Sequence, residues 1–130
     1  MLDEYGGKLV YKLPIGKSTE GRDIDAYIFM LGTDEENFEQ ELRRRTSILI
    51  NAAHYARELT TISQVTFTMM NILNKYDNGE DGYREMLENT ALIFIPIVNP
   101  DGVHYIDTAW NNTEKFEYIK KNRNIYAGME

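Results

Sequence analysis

At 130 residues the chain has room for one domain, which would bury about two-thirds of the surface its unfolded form exposes, and too little for two. A composition 42% hydrophobic and 27% charged excludes a disordered or fibrous protein. A net charge of -7 argues against nucleic acid or an anionic membrane as the main partner, and the absence of cysteine excludes disulfides, thiol nucleophiles and thiolate zinc ligands.

Met1 is followed by Asp3 and Glu4 rather than by a basic and then apolar leader, so no signal peptide is expected. The longest apolar stretch, residues 91–98, is far too short to span a bilayer. Basic residues cluster only locally, at Arg43-Arg44-Arg45 and at Lys120-Lys121-Asn122-Arg123.

In chain order, Leu9-Val10-Tyr11 and Ile24 to Ile28 read as two antiparallel strands around the polar corner Gly21-Arg22-Asp23, with Gly16, Gly21 and Arg22 as turn and packing residues. Residues 33–46, acidic first and basic last, suit a solvated loop or a short exposed helix whose charges complement its dipole. Residues 47–53 (SILINAA) form a short apolar run with β-branched residues, the pattern of a strand buried on both faces in a parallel sheet. From Glu58 to Tyr76 the period changes: Ile62, Val65, Met69, Ile72, Leu73 and Tyr76 share one helical face. No charge falls between Leu59 and Asn74, which predicts a helix packed in the centre of the protein.

Beyond a turn-rich exit, YREMLENT predicts a short amphipathic helix. Residues 91–102 (ALIFIPIVNPDG) predict a second buried strand closed by an Asn-Pro-Asp-Gly turn, in which Asp101 bonds nearby backbone and Gly102 supplies a permissive conformation. His104, just after that turn, is expected to be a surface or structural residue. A strand, a helix and a strand with connections this long imply a parallel crossover. The expected class is α/β: a mixed, mostly parallel sheet flanked by helices, with the first two strands added antiparallel. Ligand sites in such sheets lie beyond the carboxyl ends of the parallel strands. Both HYARE (54–58) and NPDG (99–102) would stand on that rim.

A histidine and a glutamate a few residues apart at a strand-to-helix junction can give a nitrogen and an oxygen to one zinc ion. The same spacing also suits a capping or core histidine, so on its own it leaves both readings open. Four stretches in order, IGKSTEGRDI (15–24), ARELTT (56–61), IPIVNPDG (95–102) and KKNRN (120–124), resemble the amino-terminal part of the zinc metallocarboxypeptidases, the carboxypeptidase A-like peptidases. The resemblance spans roughly residues 9–126. It implies an incomplete half of a carboxypeptidase-like domain, with residues 1–130 as the amino-terminal portion of a single domain.

The family's metal motif is His-x-x-Glu, usually His-Ala-Arg-Glu and often preceded by a second histidine. The resemblance therefore puts Glu58 at the glutamate ligand, Arg57 at the arginine that polarises the scissile carbonyl or holds the peptide, and Arg123 at the arginine that stabilises the oxyanion. The ligand histidine's place is held by Tyr55, and His54 falls on the extra histidine. His54 is four residues from Glu58 rather than three. On an extended backbone its side chain would leave on the side opposite Tyr55, so it is only a substitute candidate for the metal. The family's Asn-Arg pair, third zinc ligand and catalytic glutamate have no counterpart after Arg123. The resemblance implies zinc as cofactor and carboxy-terminal peptide bonds as substrate if the domain is completed, with these 130 residues expected to be inactive alone. The alternative is a pseudopeptidase serving as a structural or interaction subunit, and either reading implies a protein partner or the remaining half of the domain.

Overall fold

A computed structural model describes residues 1–113. Its elements are α1 (Leu2–Tyr5), β1 (Val10–Lys17), β2 (Asp23–Phe29), α2 (Phe38–Arg44), β3 (Thr46–Asn51), α3 (Leu59–Asp77), α4 (Tyr83–Asn89), β4 (Thr90–Ile95) and α5 (Pro100–Thr113). The four strands make one sheet in the order β1-β2-β4-β3, with β1–β2 and β2–β4 antiparallel and β3–β4 parallel. The mixed α/β architecture expected from the sequence is therefore present, and the parallel pair is the one joined through α3.

Alternation along the strands supplies two apolar layers. Phe29 and Phe94 face the layer built with Val65, Met69, Ile72 and Leu73 of α3 and Leu87 of α4. Their rings lie 5.0 Å apart in a tilted pair. Ile28, Met30 and Ala91 face the other way, onto Phe38 and Leu42 of α2. Pro14 is tolerated within β1 because β1 is an edge strand, and the ladder shifts register between Pro14 and Gly16.

Three expectations are corrected. The run predicted to be buried on both faces becomes β3, the opposite edge of the sheet, with Ile48 49% and Leu49 56% exposed. Its apolar pattern is that of a central strand, but only β4 pairs with it. The uncharged helix α3 is not central either: it lies against one face of the sheet and leaves Phe67 and Met70 more than half exposed. NPDG does not close a turn. Pro100 is the first residue of α5, where its missing N–H costs nothing, and the Asn99 Oδ1 caps the helix by accepting the Gly102 N–H at 3.0 Å.

Candidate functional site at the sheet rim

The rim beyond β3 and β4 is knitted by backbone. The Ala52 N–H donates to the Ile95 carbonyl, the Val98 N–H to the Ala52 carbonyl, and the Asn99 N–H to the Ala53 carbonyl at 3.1 Å. The Asn99 side chain adds an Nδ2 donation to the His54 carbonyl at 3.4 Å. HYARE and NPDG therefore meet, as expected from their positions after two parallel strands. The approach is close enough to dictate a residue: a Cβ on Gly102 would lie 2.6 Å from the Ala56 Cβ and 2.8 Å from the Asn99 Nδ2. Gly102 is required by proximity and not by a left-handed backbone, contrary to the sequence reading.

The chain leaves strand geometry before His54. Ala53 has φ 54°, the one positive φ among the described residues other than glycine. Such a conformation is uncommon for a side chain with a Cβ and is held here by its surroundings. The Ala53 N–H donates to the Thr61 Oγ1 at 3.1 Å, and that hydroxyl donates to the Glu58 carbonyl at 2.7 Å. The Glu58 N–H in turn donates to the Tyr55 carbonyl. His54 and Tyr55 thus occupy a turn, so the alternation of an extended strand does not apply to them.

His54 is exposed, and its Nε2 lies 2.9 Å from the Asn51 Oδ1. Tyr55 is 50% exposed. Ala56 is fully buried, Arg57 partly buried, and Glu58 exposed at the residue before α3. Arg123 lies outside the described residues. The donors at the rim, an imidazole nitrogen and a carboxylate, have the chemistry zinc takes, but a catalytic zinc uses three protein ligands. Among the described residues no three His, Cys, Asp or Glu side chains group as a metal site would need. His54 and Glu58 therefore do not by themselves supply the three ligands of a catalytic zinc.

Sequence reasoning missed the support under the rim. Asp101 is fully buried and bonds no local backbone. Its carboxylate accepts from the Ser18 Oγ at 2.6 Å, the Arg22 Nη1 at 2.7 Å and the Glu20 N–H at 3.1 Å. Burial alone would raise its pKa, yet the hydroxyl, the guanidinium and the backbone N–H together hold it below the ordinary carboxylate value. The β1–β2 corner is thereby tied to the residue next to Asn99's cap. The only signal for this was two polar clusters, 79 residues apart. Beside the rim, a groove of about 590 Å³ runs along α5 between Leu59, Ile97, Val103 and Trp110, with His104 on its wall.

The zinc carboxypeptidase family profile matches residues 2–129. The inactive metallocarboxypeptidase ECM14 of Arthroderma benhamiae is 31% identical over 106 residues, covering 79% of this chain and 17% of that protein. Its namesake from Schizosaccharomyces pombe is 33% identical over 101 residues, covering 77% and 19%. Among solved structures, bovine thrombin-activatable fibrinolysis inhibitor in complex with tick carboxypeptidase inhibitor superposes with a TM-score of 0.69 at 20% identity, covering 98% of this chain and 34% of that one. Carboxypeptidase A from Helicoverpa armigera gives 0.66 at 21%, covering 99% and 27%. The chain thus spans about a fifth of the curated relatives and about a third of the structural ones.

Proposed function

The chain belongs to the zinc carboxypeptidase family, and on that premise we propose that residues 1–130 are the amino-terminal portion of one carboxypeptidase-like domain that does not hydrolyse peptides by itself. The observation that carries this reading is Tyr55. It stands where the family's motif has an imidazole, half exposed in a turn. A phenol, with a pKa near 10, would have to lose its proton at a cost before binding a metal, and its oxygen lies farther from the backbone than an imidazole nitrogen does. That relatives 31% and 33% identical to it carry the word inactive in their names supports the same reading.

If zinc binds, His54 and Glu58 are the residues that would hold it. The metal would supply Lewis acidity and a bound water of pKa near 7. Arg57 would hold or polarise a peptide carbonyl, and Arg123 would stabilise negative charge developing on it. Completed by the rest of such a domain, the substrate class would be peptides and proteins with free carboxyl termini. The exposed edge of β3 supports a second part of the reading: the chain works against a protein partner or the remainder of its domain, which covers that edge.

The test is incubation of the purified chain with a peptide bearing a free carboxyl terminus, with zinc and with a chelator. No release of the terminal residue is expected. Release that the chelator abolishes would overturn the reading.

A further inference from the structure

We propose that Thr61 is the positioning residue of the rim segment 54–58: its single hydroxyl ties the residue before His54 to Glu58 and so fixes the turn from which both side chains leave. This rests on reading residues 54–58 as the site. It goes further in naming the group that gives the segment its shape. The test needs neither metal nor substrate, so the two readings stand or fall separately.

Thr61 lies in the first turn of α3, within the stretch ARELTT. A threonine hydroxyl in a helix commonly donates to a carbonyl one turn back, as Thr68 does to Gln64 at 2.9 Å. Thr61 does this to Glu58 at 2.7 Å, and its oxygen also accepts the Ala53 N–H at 3.1 Å, from eight residues away. Chemistry fixes both directions. A backbone N–H can only donate and a carbonyl can only accept, so the hydroxyl proton has one place to go. The two bonds close the chain from Ala53 to Glu58 into a loop, which the Tyr55 carbonyl braces from inside by accepting the Glu58 N–H at 3.0 Å. Ala53 is 2% exposed and, with φ 54°, holds a left-handed conformation that its Cβ disfavours. Without the hydroxyl, its buried N–H would lose this acceptor. On the other side of the segment the Asn99 N–H holds the Ala53 carbonyl. The Asn99 amide, its Oδ1 taken by the Gly102 N–H, turns Nδ2 to the His54 carbonyl at 3.4 Å. Those bonds set where the segment sits against α5, and the Thr61 hydroxyl joins its two ends.

The experiment is amide hydrogen exchange, with chemical shifts, read by NMR on the ¹⁵N-labelled chain for the parent, Thr61→Val, Thr61→Ala and Thr61→Ser. Thr60→Val, at the exposed neighbouring position, is the control. In the parent the Ala53 amide should be protected and should show the short contact to its own Hα that a positive φ gives. Thr61→Val and Thr61→Ala both lack the hydroxyl, one keeping the branched shape and the other not. Each should speed Ala53 exchange at least about five-fold, the loss of one hydrogen bond. The shifts of residues 54–58 should move with it, while the amide of Leu73, buried in α3, keeps its rate. Thr61→Ser keeps the hydroxyl and should restore both readouts. An unprotected Ala53 in the parent overturns the proposal, as does one indifferent to loss of the hydroxyl or equally sensitive to Thr60→Val. Failure of Thr61→Ser to restore Ala53 overturns it too, by giving the role to the methyl group. Faster exchange spread evenly over α3, or loss of the fold in both hydroxyl-free variants, makes Thr61 a residue of general stability and likewise overturns it.

Discussion

Asp101 carries its charge in a fully buried position because three donors from a distant corner are aimed at it. Replacing it with Asn keeps the shape, removes the charge and turns an N–H₂ towards donors, so Asp101→Asn should cost about 2–3 kcal/mol at neutral pH. The pH dependence follows from the direction of the shift. The folded carboxyl titrates below its ordinary value of 3.8, so its contribution is full above that value and is lost as pH falls through the lower, folded one. Urea unfolding of the two proteins should therefore differ at pH 7 and converge in strong acid; a gap that persists there would refute the account. Gly102 makes the complementary point about space. Adding a methyl would force Ala56 and Asn99 apart, an overpacking cost of about 1–3 kcal/mol. Gly16→Ala meets nothing within 4 Å and serves as the control. Thermal melts should show Gly102→Ala clearly below the parent and Gly16→Ala within a degree or two of the control range set by ordinary surface changes. Neither Asp101's partners nor Gly102's neighbour was legible in the sequence. Both depend on contacts between segments about 45 to 83 residues apart, and no local pattern encodes those.

Elements whose partners lie nearby were read well, and the exceptions share a cause. Apolar periodicity placed β1, β2, β4, α3 and α4, because a buried face imposes its period on the residues that fill it. What periodicity does not carry is how many neighbours an element has. The run 47–53 and the uncharged span of α3 carry the residues of central elements, yet β3 is an edge strand and α3 is covered on one side. NPDG was legible as a boundary but not as a helix start, since Asn and Pro serve a turn and an N-terminus equally. One contact between elements gives a sharp test. The Tyr5 hydroxyl of α1 donates to the Asp77 carboxylate at the end of α3. That bond, with burial and the Asp77 charge added, raises the tyrosine's pKa from 10.0 to about 12. Because the folded value is the higher one, the attachment of α1 is intact below pH 10 and is lost as pH climbs through about 12. Ultraviolet titration of the nine tyrosines should show Tyr5 ionising late, alongside Tyr11, whose burial also raises its pKa, and Asp77→Asn should bring Tyr5 alone back towards the others. A late-ionising fraction that Asp77→Asn leaves undiminished would rule this contact out as the cause for Tyr5.

At the scale of the molecule, the two edges of the sheet are built differently. β1 carries Pro14 and a register shift, features that discourage pairing, and Lys12 and Lys17 make ion pairs to Asp25 and Asp23. β3 has none of these devices: it presents Ser47, Ile48 and Leu49 exposed in a regular parallel ladder. On the same molecule α3 shows Phe67 and Met70, so apolar surface is uncovered on a helix as well as on the edge. Soluble proteins normally protect such an edge, by charge, a bulge or a covering element. The isolated chain is therefore expected to associate with itself or with a partner through β3. In sedimentation velocity across a concentration series the parent should show a growing share of dimer or larger species. Leu49→Lys, which puts a charge on the open strand where the side chain is 56% exposed, should keep the far-ultraviolet circular dichroism and shift the distribution to monomer. A parent that stays monomeric and cooperatively folded at every concentration would mean that β3 is protected by something other than pairing. It would also remove the main support for a partner at that edge.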